Sequence, residues 1–204
     1  MQGSRREASK QETRQLILNA ARQLFAEKGM EDCTIRDIAK KAGVSPASVV
    51  VHFQSKTALL EEALNRDIEK AMSALIDSLP ADQGLLERLV HLASGFFRLY
   101  DGNRNLYRAL IRHTIFEPVK ETPHITGVTG RYIDFLTGMI EEEKARNLIR
   151  PEVDATVAAG AIFSLYLGAL TLLFRQPEIP VELVMEILAA MTGQYLQGIS
   201  LDQA

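Results

Sequence analysis

The sequence contains no tryptophan and only one cysteine, Cys33, in 204 residues. With no second cysteine, no disulfide framework forms within the chain, which suits a reducing compartment and gives a cytoplasmic expectation. Cys33 has no evident base beside it and reads as a small buried residue. The glycines form neither a Walker nor a Rossmann phosphate loop. The four histidines are scattered. Glu87/His91 and His113/Glu117 each share a helix face, but neither has the Glu-x-x-His spacing of helix-bundle di-iron sites, and solvated pairs account for both. "DGNRNL" at 101–106 opens like a calcium loop, yet Leu106 stands where glycine is required and Arg112 where the closing glutamate belongs. No catalytic constellation is found, so the chain reads as a non-enzyme with no metal and no cofactor. The start, "MQGSRREASKQETR", lacks the apolar run that follows the charges of a secretory signal.

What is present is helical periodicity in a composition that is 47% hydrophobic and 24% charged. The formal charge of −3 hides an asymmetry. Residues 1–57 hold ten Lys/Arg against six Asp/Glu, and the remainder thirteen against twenty. A basic amino-terminal quarter on an acidic body suits one part that meets a polyanion and one that does not.

Residues 10–28 place Ile17, Ala20, Ala21, Leu24 and Phe25 on one face, and Gly29 ends that helix. Thr34, three residues before Asp37, is a capping-box start. Ile35, Ile38, Ala39 and Ala42 make the stripe of a second short helix, closed by Gly43 as a left-handed cap. Ser45-Pro46 is a fresh N-cap followed by proline at the first helical position. Ser55 opens a long helix to Leu79-Pro80. Further helices are expected near 83–100, 104–116, 124–147, 153–174 and 180–199.

Val49-Val50-Val51 has strand propensity, but it lies between a helix start and a helix restart with no partner strand nearby. Three β-branched residues cost a helix roughly 0.5 kcal/mol each relative to alanine. Burial of Val49 and Phe53 offsets that cost, and helix is the expectation.

Two short helices joined by a glycine turn and stacked on a first amphipathic helix make a helix-turn-helix, whose second helix enters the DNA major groove. The segment "ILNAARQLFAEKGMEDCTIRDIAKKAGVSPASVVVHFQSKTALL", about 17–60, resembles the TetR family of transcriptional regulators in its A-x-x-L-F helix, T-x-x-x-I-A, A-G-V-S and F-x-x-K-x-x-L elements. The resemblance implies that Thr34, His52 and Lys56 contact phosphates, and that Arg36 reaches a base edge. Residues 45–50 would begin the recognition helix. One departure is Val50, where the family usually has an aromatic residue, most often tyrosine. Pro46, Ala47, Val50 and Val51 carry no hydrogen-bonding groups and suit thymine methyls, Ser45 caps, Ser48 is an adaptable reader, and Arg36 fits a bidentate guanine contact. Arg5, Arg6, Lys10 and Arg14 form either a basic arm toward adjacent DNA or a disordered tail.

Residues 155–174, "ATVAAGAIFSLYLGALTLLF", are uncharged over a membrane-spanning length, but the hydroxyls, glycines and missing basic flank favour a buried helix and no membrane. Ala161, Leu165, Gly168 and Leu172 follow heptad spacing, as do Val184, Leu188, Met191 and Tyr195 in the last helix, which suggests a subunit interface. The family resemblance likewise implies a homodimer through the last two helices. Phe96, Phe97, Tyr100, Tyr107, Ile111, His113, Phe116, Tyr132, Phe135, Met139, Phe163, Tyr166, Leu167 and Leu170 are candidates to line an apolar effector pocket.

The expected fold is all-α with about nine helices. Residues 1–54 form a three-helix helix-turn-helix DNA-binding domain, with 1–9 as a flexible basic arm. Residues 55–204 form an effector-binding and dimerisation domain, with 55–79 as the connecting helix. The implied function is a ligand-responsive repressor, released from a palindromic double-stranded DNA operator by a small hydrophobic or aromatic effector. The alternative is a helical ligand-binding or scaffold protein with weak or no specific DNA binding.

Overall fold

The protein is described by a computed structural model covering residues 2–201, with side chains from Arg6 onward. Nine α-helices occur among the described residues: α1 Gln2–Lys28, α2 Ile35–Ala42, α3 Pro46–His52, α4 Lys56–Asp77, α5 Leu85–Asp101, α6 Arg104–Phe116, α7 Pro123–Ala145, α8 Ala155–Arg175 and α9 Val181–Ile199. One 3-10 turn, Val119–Glu121, precedes α7. The only β feature in this range is a single bridge, Ile149 to Ser200. The all-α expectation therefore holds.

Packing separates two compact units, Met1–Ile68 with Asn103–Thr126, and Glu69–Gly102 with Gly127–Ala204. In the first, α2 packs between α1 and α3, and α6 touches α1. Its core contains Ile17, Ala21, Leu24 and Phe25 of α1, Ile38 of α2, Val49 of α3, Leu59, Leu60 and Leu64 of α4, and Leu110 of α6. These are the apolar positions at i, i+3, i+4 and i+7 that one helix face collects. The helix α1 begins at Gln2, so residues 2–9 continue it rather than forming a separate arm. Arg6 and Lys10 are exposed on it, while the Arg5 side chain lies outside the described residues.

In the second unit, α9 packs against both α5 and α8. Close approach is allowed at Gly95, where a Cβ would overlap the Leu75 side chain. The Asp154 carboxylate caps α8 by accepting from the Thr156 and Val157 amides at 2.9 and 3.0 Å. By length and composition α8 could cross a membrane, and 44% of its most apolar stretch is buried within the protein. Asn147 ends α7 in the left-handed region at φ 58°.

Candidate nucleic-acid interface

Thr34 builds the start of α2. Its hydroxyl accepts from the Asp37 amide at 3.1 Å and donates to the Asp37 carboxylate at 2.8 Å, which in turn accepts from the Thr34 amide at 3.0 Å. The hydrogen bonds from the Thr34 hydroxyl and then its amide hold the Asp37 carboxyl below its ordinary pKa. Gly43 closes α2 at φ 70°, a left-handed conformation that glycine adopts without penalty. Ser45 starts α3 by accepting from the Ser48 amide at 3.1 Å. These caps fix the angle at which α3 leaves α2.

The three valines of α3 are sorted by position. Val49 is fully buried, Val50 is 58% exposed and Val51 is 82% exposed. Ser45, Pro46 and Ala47 are exposed, and Ser48 is half-buried. The outer face of α3 is therefore apolar and open to solvent. Thr34 and Arg36 are exposed as well, and no hydrogen bond or ion pair among the described residues engages the Arg36 side chain. Placing Arg36 and the outer face of α3 on two capped helices of a helix-turn-helix is the geometry a major-groove reader needs.

Residues 17–63 match the model for bacterial regulatory proteins of the tetR family. The chain is similar to TetR-family transcriptional regulators, and the matched segment is its helix-turn-helix. It is 25% identical over 166 residues to the HTH-type transcriptional regulator UidR of Escherichia coli strain K12, covering 78% of this chain and 81% of that protein. The fold also matches FadR of Bacillus subtilis in complex with stearoyl-CoA, with a TM-score of 0.69 at 20% identity over 90% of this chain and 95% of FadR. A putative transcriptional regulator from Saccharomonospora viridis in complex with choline matches with a TM-score of 0.70 at 23% identity, over 94% and 99% of the two chains.

Around this segment, Lys56, the His52 backbone and Arg14 take part in contacts within the protein. Lys56 donates to the Cys33 carbonyl at 3.0 Å and the Glu31 carbonyl at 3.5 Å, tying the α1–α2 turn to α4. His52 is half-buried, and its carbonyl accepts from Arg14 at 2.8 Å. Arg14 is not an arm residue. It pairs with Glu62, donating from Nε to Oε1 at 2.9 Å, and lies 4.4 Å from the centre of the Phe53 ring. Its position facing α4 was not legible from its place in a basic stretch.

The pocket candidates divide between the two units. Phe96, Phe97, Tyr100, Tyr132, Phe163 and Tyr166 are joined by ring contacts at centroid separations of 5.4–6.4 Å. A cavity of about 20 Å³ lies beside Leu89, Ala93, Tyr132, Phe163, Tyr166 and Thr192, room for roughly one water. Tyr166 donates to the Tyr100 hydroxyl at 3.2 Å. Burial pushes the Tyr100 phenol up to about 12 and the Tyr166 phenol well above its ordinary value. Met139 and Leu170 are buried in the same unit, and Phe135 and Leu167 are half-buried.

Tyr107, Ile111, His113 and Phe116 belong to the first unit. Tyr107 is buried, Ile111 and His113 are half-buried, and the His113 Nε2 has no protein hydrogen-bond partner. Phe116 is 79% exposed because α6 ends there, so it lines no interior.

The interface candidates on α8 are outward or half-outward: Gly168 is exposed, and Ala161, Leu165 and Leu172 are half-buried. On α9 the stripe needs correction. Val184 and Leu188 are buried within their own protomer, because α9 packs on α5 and α8 along that face. Met191 and Tyr195 are half-buried. The outward stripe runs through exposed Leu183, half-buried Ile187, and exposed Ala190 and Gln194.

Two buried carboxylates escaped the sequence reading. Glu143 is buried near the end of α7 and pairs with Arg146 at 3.2 Å. Glu61 is buried, and its Oε1 accepts from the Ile125 amide in the first turn of α7 at 2.9 Å. Burial raises the Glu61 pKa, against the Ile125 hydrogen bond and the His124 charge. A signal existed: Glu61 stands three before Leu64 and seven before Ile68, inside an apolar stripe.

Proposed function

We propose that this regulator is a dimeric repressor, released from a palindromic operator by a small hydrophobic or aromatic effector. The observation that carries DNA recognition is the outer face of α3. Ala47, Val50 and Val51 stand exposed on α3, and Arg36 on α2 is exposed and unengaged, a set that suits thymine methyls and a guanine edge in a major groove. Residues 1–54 would do the binding, with 55–204 holding the effector and the partner subunit.

The homodimer is supported by α8. Val157 is 68% exposed and Gly168 exposed on a helix with no charge before Arg175, a face suited to a second copy of the chain rather than to lipid. Two recognition helices on a dimer would read half-sites about 34–36 Å apart or slightly more. A soluble DNA-binding protein of this kind works in the cytoplasm, where the chromosome is.

The effector would enter the aromatic interior of the second unit. With about 20 Å³ open beside Tyr132 and Tyr166, that interior is closed, so a ligand must select an expanded arrangement. The cavity is lined by no charged side chain, which suits an uncharged or largely apolar group. The ligands named for two similar folds, stearoyl-CoA and choline, supply an acyl chain and a quaternary ammonium as first candidates. Ligand-driven release then follows from preference for an arrangement whose two α3 helices no longer match successive grooves.

Loss of specific DNA binding is the alternative, favoured by Lys56 being spent on backbone carbonyls and by Val50 in place of the usual aromatic residue. Binding of the dimer to its own upstream DNA and to random duplex, across a salt series, separates the two. A specific regulator shows an affinity gap of roughly 10³-fold or more and a steep salt slope; equal affinity for both duplexes supports the alternative.

A further inference from the structure

The first turn of α7 is capped from another helix, while its own N-cap side chain stands unused. Thr122 immediately precedes Pro123, and its carbonyl accepts from the Thr126 amide at 3.0 Å, the first full helical bond. Thr122 is therefore the N-cap, and its hydroxyl is the resident group for the Ile125 amide three residues on. That hydroxyl is buried without a hydrogen-bond partner, and the Ile125 amide is instead taken by Glu61 of α4 at 2.9 Å. A carboxylate from another helix thus holds the amide that an N-cap hydroxyl ordinarily serves, and the Thr122 hydroxyl is left unpartnered.

The next residue of α4 reaches the end of α3 through an arginine of α1. Glu62 pairs with Arg14, and Arg14 donates to the carbonyl of His52, the last residue of α3. Two adjacent carboxylates in one turn of α4 thus hold the start of α7 and, through one arginine, the end of α3. Any rotation of α4 moves both. A rigid joint would have no use for a second cap, whereas a two-position joint needs one, since a buried amide left bare would oppose the second position.

We propose that Glu61 and Glu62 form a two-position joint: α7 is capped by Glu61 in the arrangement described and by Thr122 when α4 turns away, and Glu62 passes that turn through Arg14 to the end of the recognition helix. Glu61 is a positioning residue acting through backbone. The proposal adds a specific switch element to the regulator function and rests on it for its purpose, but not for its test.

The test is amide hydrogen exchange, read by NMR on the full chain without DNA or effector. Glu61→Ala should raise exchange at Ile125 by less than about twofold, because Thr122 takes over, and Thr122→Val alone should change nothing. The double substitution should raise Ile125 exchange at least about fivefold, the loss expected when a helix start has no cap. Glu61→Ala should also speed exchange at Val51–Phe53, and Glu61→Gln, which keeps the acceptor oxygen, should restore both segments. If the double variant exchanges like Glu61→Ala, Thr122 is no alternative cap and the joint is overturned. Unchanged exchange at Val51–Phe53 in Glu61→Ala overturns the relay. Should Glu61→Ala fail to fold, Thr122→Val in the Glu61→Gln background decides: expected is wild-type exchange at Ile125, and a rise of about fivefold or more overturns the proposal. Operator binding by the wild type is measured separately, so its failure would sink the regulator function and not the joint.

Discussion

Val49 and Val51 lie two residues apart on one short helix and at opposite extremes of exposure, 0% and 82%. The same side chain therefore has two roles. Val49→Ala should cost roughly 2 kcal/mol of stability, from lost burial and the cavity left behind. Val51→Ala should leave stability unchanged or raised by about 0.5 kcal/mol, since alanine is the better helix former, and should weaken DNA binding. Denaturant melts and duplex titrations of both variants check this, and a destabilised Val51→Ala would remove the outer-face assignment.

Arg36 is the residue proposed as the polar reader, and its side chain is exposed. Arg36→Ala should weaken specific binding by about 1–3 kcal/mol and relax the preference at one or two guanines per half-site, with random-duplex binding much less affected. Selection from a randomised library with wild type and variant reads this directly. An intact preference would return Arg36 to the solvated surface.

Tyr166→Phe removes the donor of the buried phenol pair with Tyr100. A loss of about 1–2 kcal/mol is expected, because the Tyr100 oxygen loses a donor in an apolar interior. A calorimetric melt provides the number, and no change would mean the pair adds nothing beyond packing.

Gly95→Ala puts a methyl where the Leu75 side chain already is. Overpacking should cost about 1–3 kcal/mol, and Leu75→Ala should recover part of it. Additive losses in the double variant would show that the two positions do not share the space.

Glu61 sets a pH dependence. Its folded pKa lies above the ordinary 4.5, chiefly through burial. A raised folded pKa means that the folded state favours the protonated carboxyl. That contribution is fully present below the unfolded value and is lost as the pH rises through the folded one. Glu61→Gln carries no such loss. Its melting temperature relative to wild type should therefore rise between about pH 4 and 7.5, and a constant difference would exclude Glu61 as a titrating group.

The local features were legible because they need only neighbours. Thr34 reaches Asp37 three residues on, Gly43 supplies its own left-handed turn, and Ser45 caps the helix that Pro46 begins. Helix ends at 28, 116 and 199 follow from the same short-range chemistry. Val49 was legible too, since a β-branched run inside those caps survives as helix only with one member buried.

What faces what was decided by tertiary packing. Val184 and Leu188 carry heptad spacing that would suit a partner subunit, and their burial comes from α5 and α8 occupying that side of α9. Arg14 and Lys56 look alike as free cations until Glu62, His52 and the turn carbonyls at 31 and 33 come within reach from 23 to 48 residues away. Glu61 meets Ile125 across 64 residues. Apart from the start of α1, which runs back to Gln2, the sequence by itself determined about where helices begin and end, since a cap closes over three or four residues. The rotation of each helix about its axis depends on partners distant along the chain, and that rotation decides which valine is buried, which stands exposed, and which carboxylate holds α7.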